Sequence, residues 1–118
     1  MECRTNQDLL QVLSGMDEKT SLRDLQEYVN QMIVVRGFEK ENLNDVMLLL
    51  TEEIGELAKE VRKTIGYKLD AASEKKAYTG REIADVFMYL LALCRLTGDD
   101  LLTSVIEKEK INCTREWV

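Results

Sequence analysis

Apolar residues recur along this chain at helical rather than strand spacing. Leu9, Leu10, Val12 and Leu13 mark a short helix over residues 6–14, and Ser14 to Thr20 reads as a linker. Ser21 with Asp24 resembles a capping box, in which each side chain satisfies the other residue's backbone amide. The helix it opens carries Leu22, Leu25, Val29, Met32 and Ile33 and ends near Gly37. The next helix begins around Asn44 or Asp45 and runs to about Thr64, with Gly66 as its stop. Tyr67 to Tyr78 is polar and lysine-rich, which predicts a loop with at most some helix. Thr79 followed by Glu82 repeats the capping-box pattern and opens a helix to about Thr97, stopped by Gly98. Asp99 or Asp100 caps a last helix running to about Trp117. No internal repeat interrupts this order. The expected fold is all-α, a bundle of four to five helices.

Composition agrees. The 118 residues suit one domain, 45% of them are apolar, and proline, which interrupts helices, is absent. The net charge of −6 excludes a broad basic surface for a nucleic-acid polymer. It does not exclude a nucleotide, because a divalent cation can stand between a polyphosphate and an acidic pocket. Cys3, Cys94 and Cys113 form no disulfide framework or zinc pattern, and Cys94, in an apolar run, reads as a buried thiol. The N-terminus has no signal-peptide pattern. The longest uncharged apolar run, Val86 to Cys94, is too short to span a bilayer. The expected setting is reducing and cytoplasmic, without a membrane partner.

The acidic residues change the picture more. With Val46 at zero and about 100° per residue, Leu50, Ile54, Leu57 and Val61 fall between roughly 20° and 80° and define a buried stripe. Glu53 falls near roughly 340°, inside the apolar sector, with Glu56 on the same flank. Glu60 is one turn further on, and its loss is expected to be mild. In the following helix Asp85 is the only charge between Ile83 and Cys94, and Glu82 precedes it by one turn. A buried carboxylate is costly unless it is protonated, paired or bound to metal. The chain has no histidine, and no basic residue lies between Glu82 and Cys94. Two helices thus each present an acidic pair from a mainly apolar face. If those faces pack, the carboxylates converge, and a hard divalent cation relieves their repulsion; all-oxygen ligands favour Mg²⁺ or Mn²⁺. The competing arrangement has the same carboxylates partly exposed and paired with Lys and Arg from other segments.

The segment Thr51-Glu52-Glu53-Ile54-Gly55-Glu56-Leu57-Ala58, followed by Glu82-Ile83-Ala84-Asp85-Val86, resembles the E-E-x-x-E…E-x-x-D signature of the MazG-like all-α nucleoside triphosphate pyrophosphohydrolases. A third block, Lys108, Asn112 and Arg115, also resembles the family, and the likeness covers roughly residues 22 to 117. It implies a MazG-like domain over residues 21–118 preceded by an extension over residues 1–20, to which no function is assigned. It implies an assembly of two or four subunits and hydrolysis of a nucleoside triphosphate to the monophosphate and pyrophosphate. Glu53, Glu56, Glu82 and Asp85 match the Mg²⁺ ligands of that family. Glu52 matches a position that in some members helps activate the attacking water. Lys108 and Asn112, with Arg115, match positions that contact the nucleotide.

Several further expectations follow from residue type. Glu52 is turned about 100° from Glu53, which leaves it freer to take a proton and equally able to be an ordinary surface glutamate. Arg62, Lys63 and Lys110 are further candidates for phosphate contact. Gln26 and Gln31 could bond a base, and Tyr28, Phe38 or Trp117 could stack on one. The helix over residues 83–94 is apolar on nearly every side, more than a few short helices can enclose, which predicts a homodimer or a dimer of dimers. Rival functions are a phosphoribosyl-ATP or dUTP-specific pyrophosphohydrolase of the same fold, and a non-catalytic oligomerisation module holding structural cations.

Overall fold

The computed structural model describes residues 2–66, 68–72 and 75–117. Among them are five α-helices and no strand: α1 (Asn6–Ser14), α2 (Leu22–Val35), α3 (Leu43–Thr64), α4 (Thr79–Thr97) and α5 (Leu101–Asn112). None of these helices is long and apolar enough to cross a membrane. The chain divides into two compact units, residues 1–40 with 94–118, and residues 41–93.

In the first unit α2 packs against both α1 and α5. Leu9 of α1 and Tyr28, Val29, Met32 and Ile33 of α2 are buried; the α2 residues recur at helical spacing and so share one face. Helix starts are set by side chains. Thr5 and Asp8 form a capping box on α1, and Ser21 and Asp24 form the expected one on α2. At α5 the capping residue is Asp100, which accepts from the Thr103 amide at 3.1 Å and from both Nε and Nη2 of Arg23 on α2. Gln26 reinforces this join, donating to the Asp99 carbonyl at 2.8 Å and accepting from the Leu101 amide at 3.0 Å. The α5 helix stops at Asn112, short of Trp117, because the Trp117 indole N–H donates to the Asn112 carbonyl at 3.1 Å and closes the helix end.

The second unit holds α3 and α4 up to Leu93. Asn42 and Asp45 form a capping box that starts α3 at Leu43, one or two residues before the expected Asn44 or Asp45. Its far end is stopped by Gly66, whose φ of +79° suits a residue without a Cβ. No helix occurs among the described residues between Gly66 and Tyr78; Tyr67, Ser73 and Glu74 lie outside the described residues. Thr79 is not an N-cap. It is already helical, and its hydroxyl meets the Thr64 hydroxyl at 3.1 Å, while the Tyr78 carbonyl accepts the first amide bonds of α4. The stripe on α3 is buried at Val46 and Leu50, yet Ile54 is 50% and Val61 40% exposed. On α4, Leu91 and Ala92 are buried, whereas Ile83 is 53% and Leu90 40% exposed. A single copy thus leaves part of the apolar surface of α4 uncovered, as expected of a helix too apolar for one chain to enclose.

Candidate metal centre

Helical periodicity sets the site. On α4, Glu82 and Asp85 are one turn apart and share a side, and Glu53 on α3 faces them. Ligand oxygens of Glu53, Glu82 and Asp85 lie within 4.8 Å of one another, and all three residues are half-buried. All three belong to the second compact unit. The contacts Thr64 to Thr79, Glu60 to Tyr78 and Glu53 to Glu82 and Asp85 run in opposite directions along the two helices, so α3 and α4 pass antiparallel.

Burial, and then the charges of Asp85, Glu82, Glu52 and Glu56, push the Glu53 carboxyl above the ordinary glutamate value. Tyr89, one turn beyond Asp85, lies in the same field: burial and then Glu53 raise its phenol, which stays neutral at physiological pH. None of the three carboxylates has a Lys or Arg partner within ion-pair distance among the described residues.

The donor set fits a small divalent cation. Octahedral Mg²⁺ with bonds of about 2.1 Å spaces its ligand oxygens about 3.0 to 4.2 Å apart, which is within a small adjustment of the observed cluster. The ligands are all carboxylate oxygen, as hard cations require.

Glu56, expected as a fourth ligand, is exposed and outside the convergent trio, although its charge is felt at Glu53. Glu52 is exposed on the neighbouring side of α3. Lys108 and Arg115 are exposed, and the Asn112 amide donates to Glu109 at 2.8 Å; these three belong to the first compact unit, not the one that carries the carboxylates.

Among the other candidates structural roles prevail. Gln26 is spent on α5, and Gln31 accepts from the Cys3 amide at 2.9 Å. Tyr28 is buried, while Phe38 and Trp117 are exposed. Arg62 donates to the Lys68 carbonyl, and Lys63 is buried in an ion pair. Cys94 is half-buried and Cys3 is the buried thiol.

Two residues escaped the sequence reading. Asn30 has a buried Oδ1 without a hydrogen-bond partner among the described residues and lines a cleft with Gln31 and Arg95. Glu60, read as peripheral, is 9% exposed; its Oε2 accepts from the Tyr78 amide at 2.9 Å and its Oε1 from Lys63 Nζ at 3.0 Å. The signal was present, since Glu60 lies only about 20° around α3 from Glu53, within the same sector.

Among the described residues, five helices, two of which bring three carboxylates together, define an all-α protein with a candidate cation site. The family model of the MazG nucleotide pyrophosphohydrolase domain matches residues 41–112, more than half of the chain. The chain belongs to the MazG nucleotide pyrophosphohydrolase family. No curated protein and no solved structure matches it significantly.

Proposed function

We propose that the protein is a Mg²⁺-dependent hydrolase that converts a nucleoside triphosphate to the monophosphate and pyrophosphate. The convergence of Glu53, Glu82 and Asp85 within a MazG domain carries this reading. Glu53, Glu82 and Asp85 would hold Mg²⁺, or Mn²⁺ in its place, with Glu56 as a fourth ligand. A cation held there would supply charge neutralisation for phosphate oxygens and activation of water. Glu52, exposed beside the cluster, takes the proton from the attacking water. Lys108, Asn112 and Arg115 contact the nucleotide. Tyr89 presents a neutral hydroxyl to the acidic side of the site.

The exposed halves of the apolar faces on α3 and α4 support a homodimer or a dimer of dimers. Ile54 and Val61 continue the α3 stripe that is buried at Val46 and Leu50, Ile83 and Leu90 share an exposed apolar side of α4, and a second copy covers them. The domain occupies residues 21–118, and residues 1–20 are an extension whose α1 packs on α2.

A panel of nucleoside triphosphates with Mg²⁺, scored for both monophosphate and pyrophosphate, tests the activity. Turnover of phosphoribosyl-ATP or dUTP alone would move the assignment within the fold. Cation-dependent stability without turnover of any substrate would make the protein a structural module.

A further inference from the structure

We propose that Glu60 is a positioning residue for the metal centre: by holding the Tyr78 amide it fixes where α4 begins, and so sets the approach of Glu82 and Asp85 to Glu53. This inference rests on the metal-centre reading above.

The connection is short and continuous. Glu60 Oε2 accepts from the Tyr78 N–H at 2.9 Å. The Tyr78 carbonyl in turn accepts from the Arg81 amide at 3.0 Å and the Glu82 amide at 3.4 Å. One residue, Tyr78, thus joins a carboxylate on α3 to the backbone of a ligand on α4. Glu60 itself lies two turns from Glu53 on the same side of α3, about 10 Å along the axis. The ligand from α3 and the anchor for α4 therefore share one rigid rod. A second tie, Thr64 to Thr79 at 3.1 Å, lies one turn further from the acidic cluster.

The side chain is built for this task. Glu60 is the buried charged residue of the described chain, and Lys63 Nζ at 3.0 Å satisfies its second oxygen. The backbone amide and then the ammonium hold the carboxylate below the ordinary glutamate value, so its ionised form keeps both bonds. A metal site tolerates only a few tenths of an ångström in its ligand distances. A slip of one residue at the start of α4 would turn Glu82 and Asp85 about 100° away from Glu53. Loss of an interaction that orients metal ligands typically costs about 10–100-fold in metal affinity.

The test compares two variants of the full chain, E60Q/K63M and E60A/K63M. Both remove the ion pair, but only the glutamine retains an oxygen for the Tyr78 amide. Mn²⁺ affinity is read by electron paramagnetic resonance, with circular dichroism to confirm the fold. E60Q/K63M is expected to stay near wild type, and E60A/K63M to bind at least about 10-fold more weakly. Equal affinity of the two folded variants overturns the role of Glu60 and leaves the metal centre standing. Absence of Mn²⁺ binding by the wild-type protein overturns both.

If E60A/K63M does not fold, hydrogen exchange in the wild-type protein decides. Coupling between the metal and the Glu60–Tyr78 bond is reciprocal. Mg²⁺ must therefore slow exchange of the Tyr78 amide more than that of the α2 amides. An equal effect on both sets overturns the proposal.

Discussion

Glu53 on α3 and Asp85 on α4 bring carboxylate oxygens within 4.8 Å of each other, with Glu82 as the third member of the cluster. Like charges this close in a half-buried site disfavour the metal-free protein, and a bound divalent cation would reverse the effect. Glu53→Gln, Glu82→Gln and Asp85→Asn should each lower kcat/KM by on the order of 100-fold or more, with helical content unchanged. Glu56→Gln should also impair turnover, with a smaller loss of metal affinity, because Glu56 stands outside the trio. In the metal-free state each trio variant should melt at or above the wild-type temperature. Near-normal turnover of the Asp85→Asn protein would refute the site.

The metal-free protein should show opposed pH dependences. Glu53 titrates above its ordinary value of 4.5, so the folded state holds that proton more tightly than the unfolded chain. Stability linked to Glu53 is present below pH 4.5 and is lost as the pH rises through the raised folded value. Glu60 is shifted the other way: the Tyr78 amide and then Lys63 favour its ionised form, so its contribution is present above pH 4.5 and lost as the pH falls through the lowered folded value. Asp100, held down by Arg23 and Thr103, acts in the same direction as Glu60. Melting temperature in EDTA should therefore pass through a maximum on the acidic side of neutrality. Glu53→Gln or excess Mg²⁺ should remove the decline toward neutral pH. Thermal melts between about pH 4 and 8 check this, and identical profiles for wild type and Glu53→Gln would contradict it.

Much of the fold was legible because helix ends carry chemical signals. Ser21 with Asp24, Gly66, Gly98 and Asp100 each does what its residue type predicts. Thr79 misled, because a Thr followed by Glu three residues on reads equally well inside a first turn, and only the Thr64 hydroxyl on another helix decides. Asn42 was missed because asparagine also suits the loop before a helix. In the site, a 3.6-residue period placed Glu53, Glu82 and Asp85 on facing sides. It could not separate Glu56 from them, since a modest rotation of α3 determines which flank converges. Glu60 was undervalued because its partner is a backbone amide, and a backbone amide leaves no mark in a sequence.

Assembly is predicted from what α3 and α4 leave uncovered. Ile54 is 50% exposed although it continues the stripe buried at Val46 and Leu50, and Ile83, 53% exposed, shares an uncovered apolar side of α4 with Leu90. In a self-complementary interface each substitution acts twice, once per copy. The Ile54→Lys/Ile83→Lys protein should lose its oligomeric state while retaining helical circular dichroism. Multi-angle light scattering checks the mass, and a wild-type protein that is monomeric at micromolar concentration would remove the basis of this prediction.

The bond that is cleaved follows from which phosphorus the water attacks. Attack at the α-phosphorus leaves the new oxygen in the nucleoside monophosphate, whereas attack at the β-phosphorus leaves it in pyrophosphate. The α-attack is expected because the family resemblance implies it, and a cation held by Glu53, Glu82 and Asp85 would stabilise the charge of a leaving pyrophosphate. Glu52 is exposed beside this cluster and, unlike Glu53, is free of the convergent trio, so it can accept a proton. Replacing a general base typically costs about 100- to 10,000-fold in rate. Glu52→Gln should therefore lower kcat by about 100-fold or more while Mn²⁺ affinity and KM stay near wild type. Hydrolysis in ¹⁸O-labelled water, with mass spectrometry of both products, reads the site of attack. Label confined to pyrophosphate would exclude the α-attack. An unchanged kcat for Glu52→Gln would return Glu52 to an ordinary surface glutamate, and the carboxylates of Glu53, Glu82 and Asp85 would still hold the cation.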